Sequence, residues 1–389
     1  MLMPILDRMW SDLIVTYTGI QTTRGWILND TQDFVNHATW VRSILQQRGS
    51  LLSRMAGMET RDFSDMYPSV PQADLILQLD QMIDATFKHK EDEDGSTALL
   101  IPGYKKLDRD PVKWCKPQDD DHEERIGIAI NRDDLKQWVR FVIQNTRCEL
   151  GGEVFHLVHG IPIGTNCGRE CINGYLNMRE LGFTRRLCEA RRTIDEPISD
   201  ALLVMIFGKR YADDVWLIQL VGFDSSTLLY DERDSGGTDG IYPARLVGPG
   251  GEFIEGPLNL KLQDAGTKVP YLDTQLQFDP DTRLLSWNHY DKRDHIEAFI
   301  GTHTFPHPRS RLHRRCKVGT YTGFLHRINR ATTSNSGFVR KAVKQGRAMI
   351  AHGYKRRDIC DRVRAFSAFD ERKGWWPAVQ GRILKRLSL

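Results

Sequence analysis

The sequence predicts an α+β fold: an antiparallel sheet backed by helices, followed by a largely helical, basic C-terminal region. Three observations lead there. Short apolar or alternating runs recur at residues 58–63, 258–262, 272–278 and 284–289, between longer stretches of helical pattern. Two adjacent acids, Asp213-Asp214, lie between the apolar runs Leu202 to Phe207 and Val215 to Leu220, which reads as a β-hairpin with carboxylates at its tip. Charge is polarised along the chain. Residues 301–389 carry 21 Lys and Arg against 4 Asp and Glu, a net +17, which leaves −14 for the rest of a chain whose total is +3.

The elements follow in order. Thr31 to Gln47 has helical periodicity, with Asp30 or Thr31 available as a cap. Met58 to Phe63 reads as a strand and Gln72 to Phe87 as a helix. His89 to Arg125 is charged, contains Pro and Gly, and reads as a loop-rich insertion. Arg132 to Asn145 reads as a helix whose first turn carries Asp133-Asp134, acids that suit its N-terminal dipole. Phe155 to Leu157 is a short strand, Ile172 to Leu181 a helix, and Val204 to Leu220 the acid-tipped hairpin. Ser225 to Gly240 is a polar, glycine-rich loop, and helices dominate after Tyr321. Three segments result: an N-terminal helical segment over 1–57, a sheet-bearing body over 58–295 with a charged insertion near 89–125, and a basic helical region over 296–389.

Composition excludes several classes. A hydrophobic content of 40% in 389 residues supports a large core and argues against disorder. No run of eighteen apolar residues marks a membrane helix. The mildly apolar N-terminus contains Asp7, Arg8 and Asp12, which a secretory signal would lack. Seven cysteines without a regular framework suit a reducing, intracellular compartment. Cys167 and Cys171 have no second pair to complete a zinc site. In the basic end, Tyr321, Phe324, Leu325, Phe338, Trp375 and Trp376 interleave with cations. That pattern points to a folded region that grips nucleic acid rather than to a solvated tail.

The acids carry the chemistry. Two adjacent aspartates cannot neutralise each other and call for divalent cations. Two-metal phosphoryl or nucleotidyl transfer is the reaction that most often needs such a pair. Asp119-Asp120-Asp121 and Asp133-Asp134 read as solvated loop and helix-cap acids, so the dipeptide alone decides little. Its apolar flanks decide more, since ordinary hairpin tips favour Gly or Asn. A polymerase palm needs a third carboxylate on a neighbouring strand, and Asp62 fits. Tyr67, five residues on, can lie under the sugar of a nucleotide and exclude a 2′-hydroxyl. The plainer alternative for this stretch is a surface strand ending in a Pro-bounded turn. Between the acids lies Gly160-Ile161-Pro162-Ile163-Gly164-Thr165-Asn166-Cys167-Gly168, too rich in Gly and Pro for a regular element. Gly160, Pro162 and Gly164 permit close backbone approach to a base pair. A plain loop before a helix is the alternative, and the phosphate-loop pattern is absent.

In this order, the Asp62 strand, the Gly-Pro loop with its helix and the Tyr211-Ala212-Asp213-Asp214 hairpin resemble motifs A, B and C of a reverse transcriptase. The Penelope-like retroelement reverse transcriptases are the nearer resemblance. Further strings carry it: Trp26-Ile27-Leu28, Asp62-Phe63-Ser64, Gln144-Asn145-Thr146 with Gly151-Gly152, Ile241-Tyr242-Pro243, Tyr271-Leu272-Asp273 and Tyr290-Asp291-Lys292-Arg293-Asp294. The likeness covers roughly residues 20 to 360. It implies a right-hand polymerase palm with a thumb-like C-terminal region and RNA-directed DNA synthesis. Its partners would be an RNA template, a DNA primer and deoxynucleoside triphosphates, with a nuclear location in a eukaryotic host. Asp62, Asp213 and Asp214 would hold two Mg²⁺ ions, with Mn²⁺ as a substitute. Tyr67 would be the sugar gate. Gly160, Pro162 and Gly164 would support the template–nucleotide pair, and Arg327 and Arg330 would touch the template–primer backbone. Departures are also plain. Ile163 stands where the family has Met, Gly168-Arg169 where it has Ala-Pro, and the upstream fingers are shortened. Gly240-Ile241-Tyr242 imitates the start of a GIY-YIG nuclease, but no Tyr-Ile-Gly follows. Two other readings stay open: a retroelement remnant that binds nucleic acid without synthesis, and an RNA-dependent RNA polymerase, which Tyr67 opposes.

Overall fold

The computed structural model describes residues 2–22, 25–47, 51–102, 112–116, 127–161, 167–191, 196–229, 240–242, 245–247, 253–255, 258–291, 305–366, 374 and 376–388. In chain order these form α1 (Leu2–Thr18), α2 (Thr31–Gln47), β1 (Met55–Ser64), α3 (Met66–Ser69), α4 (Gln72–Asp94), β2 (Ala98–Pro102), β3 (Lys113–Cys115), β4 (Gly127–Asn131) and α5 (Arg132–Gln144). Next come β5 (Arg147–Leu150), β6 (Glu153–His156), α6 (Gly168–Glu189), α7 (Asp200–Phe207), β7 (Lys209–Tyr211), β8 (Asp214–Leu220) and α8 (Ser226–Leu229). The remainder are β9 (Arg245–Val247), β10 (Phe253–Glu255), β11 (Asn259–Gly266), β12 (Lys268–Tyr271), β13 (Thr274–Asp279), β14 (Leu284–His289), α9 (Arg314–Arg330), α10 (Asn335–Ala351), α11 (Arg356–Ala365) and α12 (Trp376–Ser388). The class is α+β, as the sequence predicts, and the strand pairings within β2–β4, β5–β6, β7–β8, β9–β10 and β12–β14 are antiparallel. No helix among the described residues is long and apolar enough to cross a membrane.

The chain divides into two compact units, Met1–Leu28 with Arg61–Gln263, and Asn29–Thr60 with Asp264–Leu389. The four-stranded sheet has the order β11-β1-β8-β7. Its strand β8 is central, and Val215 to Ile218 are all buried. A strand buries consecutive residues only when both of its faces are covered. The edge of β7 is closed by Trp26-Ile27-Leu28: Arg210 N–H donates to Trp26 O at 3.0 Å, and Leu28 N–H donates to Arg210 O at 2.8 Å.

Two expectations fail here. Leu202 to Phe207 is not the first strand of the hairpin but helix α7, with every residue of that run buried. A continuous apolar run does not distinguish a buried helix from a buried strand. Ser199 decides it, since its side chain accepts the Leu202 N–H and caps the helix. The stretch 89–125 also holds more structure than a loop. Helix α4 runs on to Asp94, where Lys90 Nζ pairs with Glu93 and Asp94, each at 2.6 Å, and Gly95 caps the end with φ +76°. Beyond it, β3-β2-β4 form a three-stranded sheet. Residues 103–111 and 117–126 of that stretch lie outside the described residues.

Other elements match their sequence signals. Asp30 Oδ1 accepts the Asp33 N–H at 2.9 Å and starts α2. Asn131 and Asp134 form a capping box at α5. In the second unit, α9 to α12 enclose a core of their own that includes Tyr321, Leu325, Phe338, Met349, Ile359 and Ile383. Burial of this set accounts for the folded, interleaved pattern of the basic end, and Tyr321 donates its hydroxyl to Ala342 O at 2.9 Å.

Candidate active site

The hairpin pairs Lys209 with Trp216, Arg210 with Val215 and Tyr211 with Asp214, so Ala212 and Asp213 are its two-residue loop. Such loops need positive φ, and Ala212 has φ +51°. An alanine in that region costs roughly 1–2 kcal/mol. A buried guanidinium offsets it: Arg210 Nη1 donates to Ala212 O at 2.8 Å and to Asn173 Oδ1 at 3.0 Å. The same side chain forks onto Glu180, with Nη2 to Oε2 at 3.2 Å, and both side chains are fully buried. Tyr242 donates its hydroxyl to Glu180 Oε1 at 2.6 Å. Burial and the Glu180 charge hold that phenol far above its ordinary range. A polar network of helix α6, strand β7 and Tyr242 thus fixes the backbone under the acid tip.

Asp62 belongs beside this tip. Phe63 N–H donates to Asp213 O at 3.1 Å, which locks the end of β1 against the hairpin loop. Residues alternate faces along a strand. Phe63 and Arg61 are buried on one face, Phe63 with its ring 4.9 Å from Tyr242, while Asp62 and Ser64 are half-buried on the other. Asp213 and Asp214 are half-buried too.

After Ser64 the chain reverses through Asp65, with φ +54°, into the single turn α3 that carries Tyr67. Burial raises the Tyr67 hydroxyl pKa, and the charge of Asp213 raises it further, while Arg169 and Arg210 pull it down. The phenol therefore lies within the field of the acid tip. The turn is stapled to the loop before α6. Ile161 N–H donates to Tyr67 O and Gly160 N–H to Val70 O, each at 2.9 Å, and Gln72 Nε2 donates to Leu157 O at 2.9 Å. Gly160 has φ +68°, and a Cβ there would stand 2.3 Å from Tyr67 O. The close approach this glycine allows is thus to the chain's own Tyr67-Pro68 backbone. Pro162 and Gly164 lie outside the described residues.

Arg169 lies with its guanidinium carbon 4.9 Å from the centre of the Tyr211 ring. Its Nε is buried without a hydrogen-bond partner among the described residues. Burial and its neighbour Cys167 push the Cys171 thiol pKa up to about 12.

No protein-family model matches the chain, and no curated protein matches it. Solved structures do. The chain is similar to telomerase from Candida albicans in complex with a TWJ fragment of telomeric RNA, at TM-score 0.47 and 10% identity, over 100% of this chain and 53% of that one. It is also similar to apo telomerase from Candida tropicalis, at TM-score 0.43 and 12% identity, over 93% of this chain and 51% of that one. The chain spans about half the length of the structures it matches.

The donors available at the acid site are carboxylate oxygens, the ligand type of Mg²⁺ and Mn²⁺. Asp62 directly precedes Phe63, whose N–H bonds the Asp213 carbonyl, so the two acids come from neighbouring backbone segments. Among the described residues, however, no group of three or more His, Cys, Asp or Glu side chains is gathered to hold an ion. The donor type and backbone placement fit; a closed three-ligand cage is not preformed.

Arg327 and Arg330 close the last turn of α9 in the second unit. Arg327 Nε is 3.8 Å from Asp273 Oδ2, with the arginine side chain 60% exposed. Arg327 lines a cleft of about 510 Å³ together with Asp273, His289, Asp291, Phe324 and Gln345. The network of Arg210, Glu180, Asn173 and Tyr242 has no counterpart among the expected site residues. One signal for it was present: Asn173, Asn177, Glu180 and Thr184 recur on one face of an otherwise core-facing helix.

Proposed function

We propose that this chain is an RNA-directed DNA polymerase of a Penelope-like retroelement, extending a DNA primer on an RNA template by nucleotidyl transfer. The observation that carries this reading is the Phe63–Asp213 backbone bond, which joins the Asp62 strand to the acid hairpin with Tyr67 in the same electrostatic field. Asp62 and Asp213 would hold Mg²⁺, with Asp214 alongside as a weaker ligand. Bound there, the metal would supply Lewis acidity toward the primer 3′-hydroxyl and the triphosphate.

The chain's own groups supply the rest. Arg210 and Glu180 keep the backbone of the hairpin tip in one conformation, so only the acid side chains would have to adjust to meet metal and substrate. The Tyr67 ring, on a turn whose backbone is held by Gly160-Ile161, would exclude a 2′-hydroxyl by contact and select deoxynucleotides. Pro162 and Gly164 would continue that support toward the template–nucleotide pair. Arg327 and Arg330 would hold phosphates of the template–primer duplex.

A second reading has one observation in its favour. The acids are not gathered into a three-ligand group, which suits a remnant that binds nucleic acid without synthesis. Primer extension by the full chain separates the two. The polymerase reading expects Mg²⁺-dependent extension on an RNA template, with deoxynucleotides preferred over ribonucleotides and chelator abolishing the product. Tight template–primer binding with no extension in Mg²⁺ or Mn²⁺ would establish the remnant instead.

A further inference from the structure

Helix α5 has an apolar outer face. It packs on α4, to which its cations are committed: Arg132 and Lys136 reach Asp84, at 3.6 Å and 2.6 Å, and Arg140 pairs with Asp80. On the other side Trp138, Phe141 and Val142 form a stripe at helical spacing and are exposed. The surface continues into the β5–β6 hairpin. That hairpin is tied to the end of α5 by Leu157 N–H donating to Thr146 O at 3.0 Å. Val154, Phe155 and Val158 are exposed there, and Ile128 is exposed on β4 just before α5.

These seven side chains are 41–68% exposed. At on the order of 150–250 Å² for a large side chain, they leave roughly 700 Å² of apolar surface open to water. The largest apolar patch on a typical monomer is about 300–600 Å². Val154 and Phe155 are successive residues of β6 and point to opposite sides of the hairpin, so one face takes six of these side chains, roughly 600 Å². Two such faces brought together would bury roughly 1,200 Å², at the lower end of the range of about 1,200–2,000 Å² of stable interfaces.

We infer that this face, built by Trp138, Phe141, Val142 and the β5–β6 hairpin, is an isologous interface on which a second copy of this chain docks. Charge favours a second copy over nucleic acid. Residues 127–159 contain four Arg and Lys and four Asp and Glu, so two identical faces meet without net repulsion. The α5 cations already have carboxylate partners, so they offer little to phosphates. The inference does not rest on the polymerase reading.

Sedimentation equilibrium of the full chain tests it. The wild type is expected at twice the 44.8 kDa chain mass. Trp138→Glu with Phe141→Glu is expected to raise the dimer dissociation constant by about 100-fold or more, since two central aromatic anchors are lost. Its circular dichroism should match the wild type. A wild type that is monomeric at every concentration overturns the inference, as does a dimer that the double variant retains. Should the variant fail to fold, hydrogen exchange on the wild type decides. Protection over residues 132–158 that grows with protein concentration supports the interface, and concentration-dependent protection confined to other segments refutes it. A monomeric wild type whose RNA affinity falls in the variant would assign the face to nucleic acid, again against self-association.

Discussion

Arg210→Met should destabilise the first unit by about 3–5 kcal/mol, the usual consequence of removing one partner of a buried ion pair. The structure shows why the cost sits at this level. The guanidinium donates to both Glu180 oxygens, to Asn173 and to Ala212 O, and both charged side chains are fully buried. Without it, the Glu180 carboxylate keeps only the Tyr242 hydroxyl as a described hydrogen-bond donor. Ala212 would also remain at φ +51° with its carbonyl contact gone. Against a total stability of roughly 5–15 kcal/mol, the loss is large. Urea unfolding followed by tryptophan fluorescence measures it, since Trp26 and Trp216 are both buried in this unit. The double variant Arg210→Met, Glu180→Leu should recover at least about 2 kcal/mol, because most of the penalty belongs to the stranded charge. A loss below about 1 kcal/mol in the single variant, or no recovery in the double, would refute the claim that this pair is what steadies the hairpin.

Three further outcomes are expected. Gly160→Ala should cost about 1–3 kcal/mol in urea unfolding, because φ +68° is strained for alanine and its Cβ would meet Tyr67 O; an unchanged midpoint would mean that the Tyr67–Gly160 staple is not a fixed feature. Burial, with Lys341 and Arg327 nearby, pulls the His289 pKa down to about 4, while Asp273 and Asp291 oppose the shift. The unfolded histidine binds its proton near pH 6.5, so between pH 6.5 and 4 the unfolded state holds more protons. Stability from this group is therefore full above pH 6.5 and falls progressively toward pH 4, by up to about 3 kcal/mol, a slope that should be absent in His289→Phe. Arg327→Glu with Arg330→Glu should weaken template–primer binding and lower the slope of log affinity against log salt by about 1.4–1.8, two phosphate contacts' worth; an unchanged slope would remove these arginines from the grip.

The candidate site is read from the order of residues. Asp62, the Gly160 loop and the Asp213-Asp214 tip are each weak signals, and their succession is what suggests a palm; the structure brings the Asp62 strand to the hairpin tip through the Phe63–Asp213 bond. The hairpin strand Val215 to Leu220 is legible because a short apolar run next to a charged tip has few other uses. Leu202 to Phe207 is not, since burial on every side erases the period that separates helix from strand, and only the Ser199 cap distinguishes them. The sheet of β2, β3 and β4 escapes for another reason. Its strands are 3–5 residues long and pair across intervening segments, which leaves no local signature. The Glu180–Arg210 pair needs a contact across 30 residues that no spacing rule encodes. Gly160 reads as a glycine for a ligand, whereas its missing side chain makes room for the Tyr67 carbonyl.

The central claim is that Asp213, bonded through its backbone to the Asp62 strand, is part of a metal-dependent catalytic site. Comparing primer extension and template–primer binding of the wild type with Asp213→Asn tests it most directly. The account predicts Mg²⁺-dependent extension by the wild type and a loss of about 10³-fold or more in the variant, several kcal/mol of transition-state stabilisation, with template–primer affinity largely intact. Extension by Asp213→Asn at the wild-type rate would contradict it.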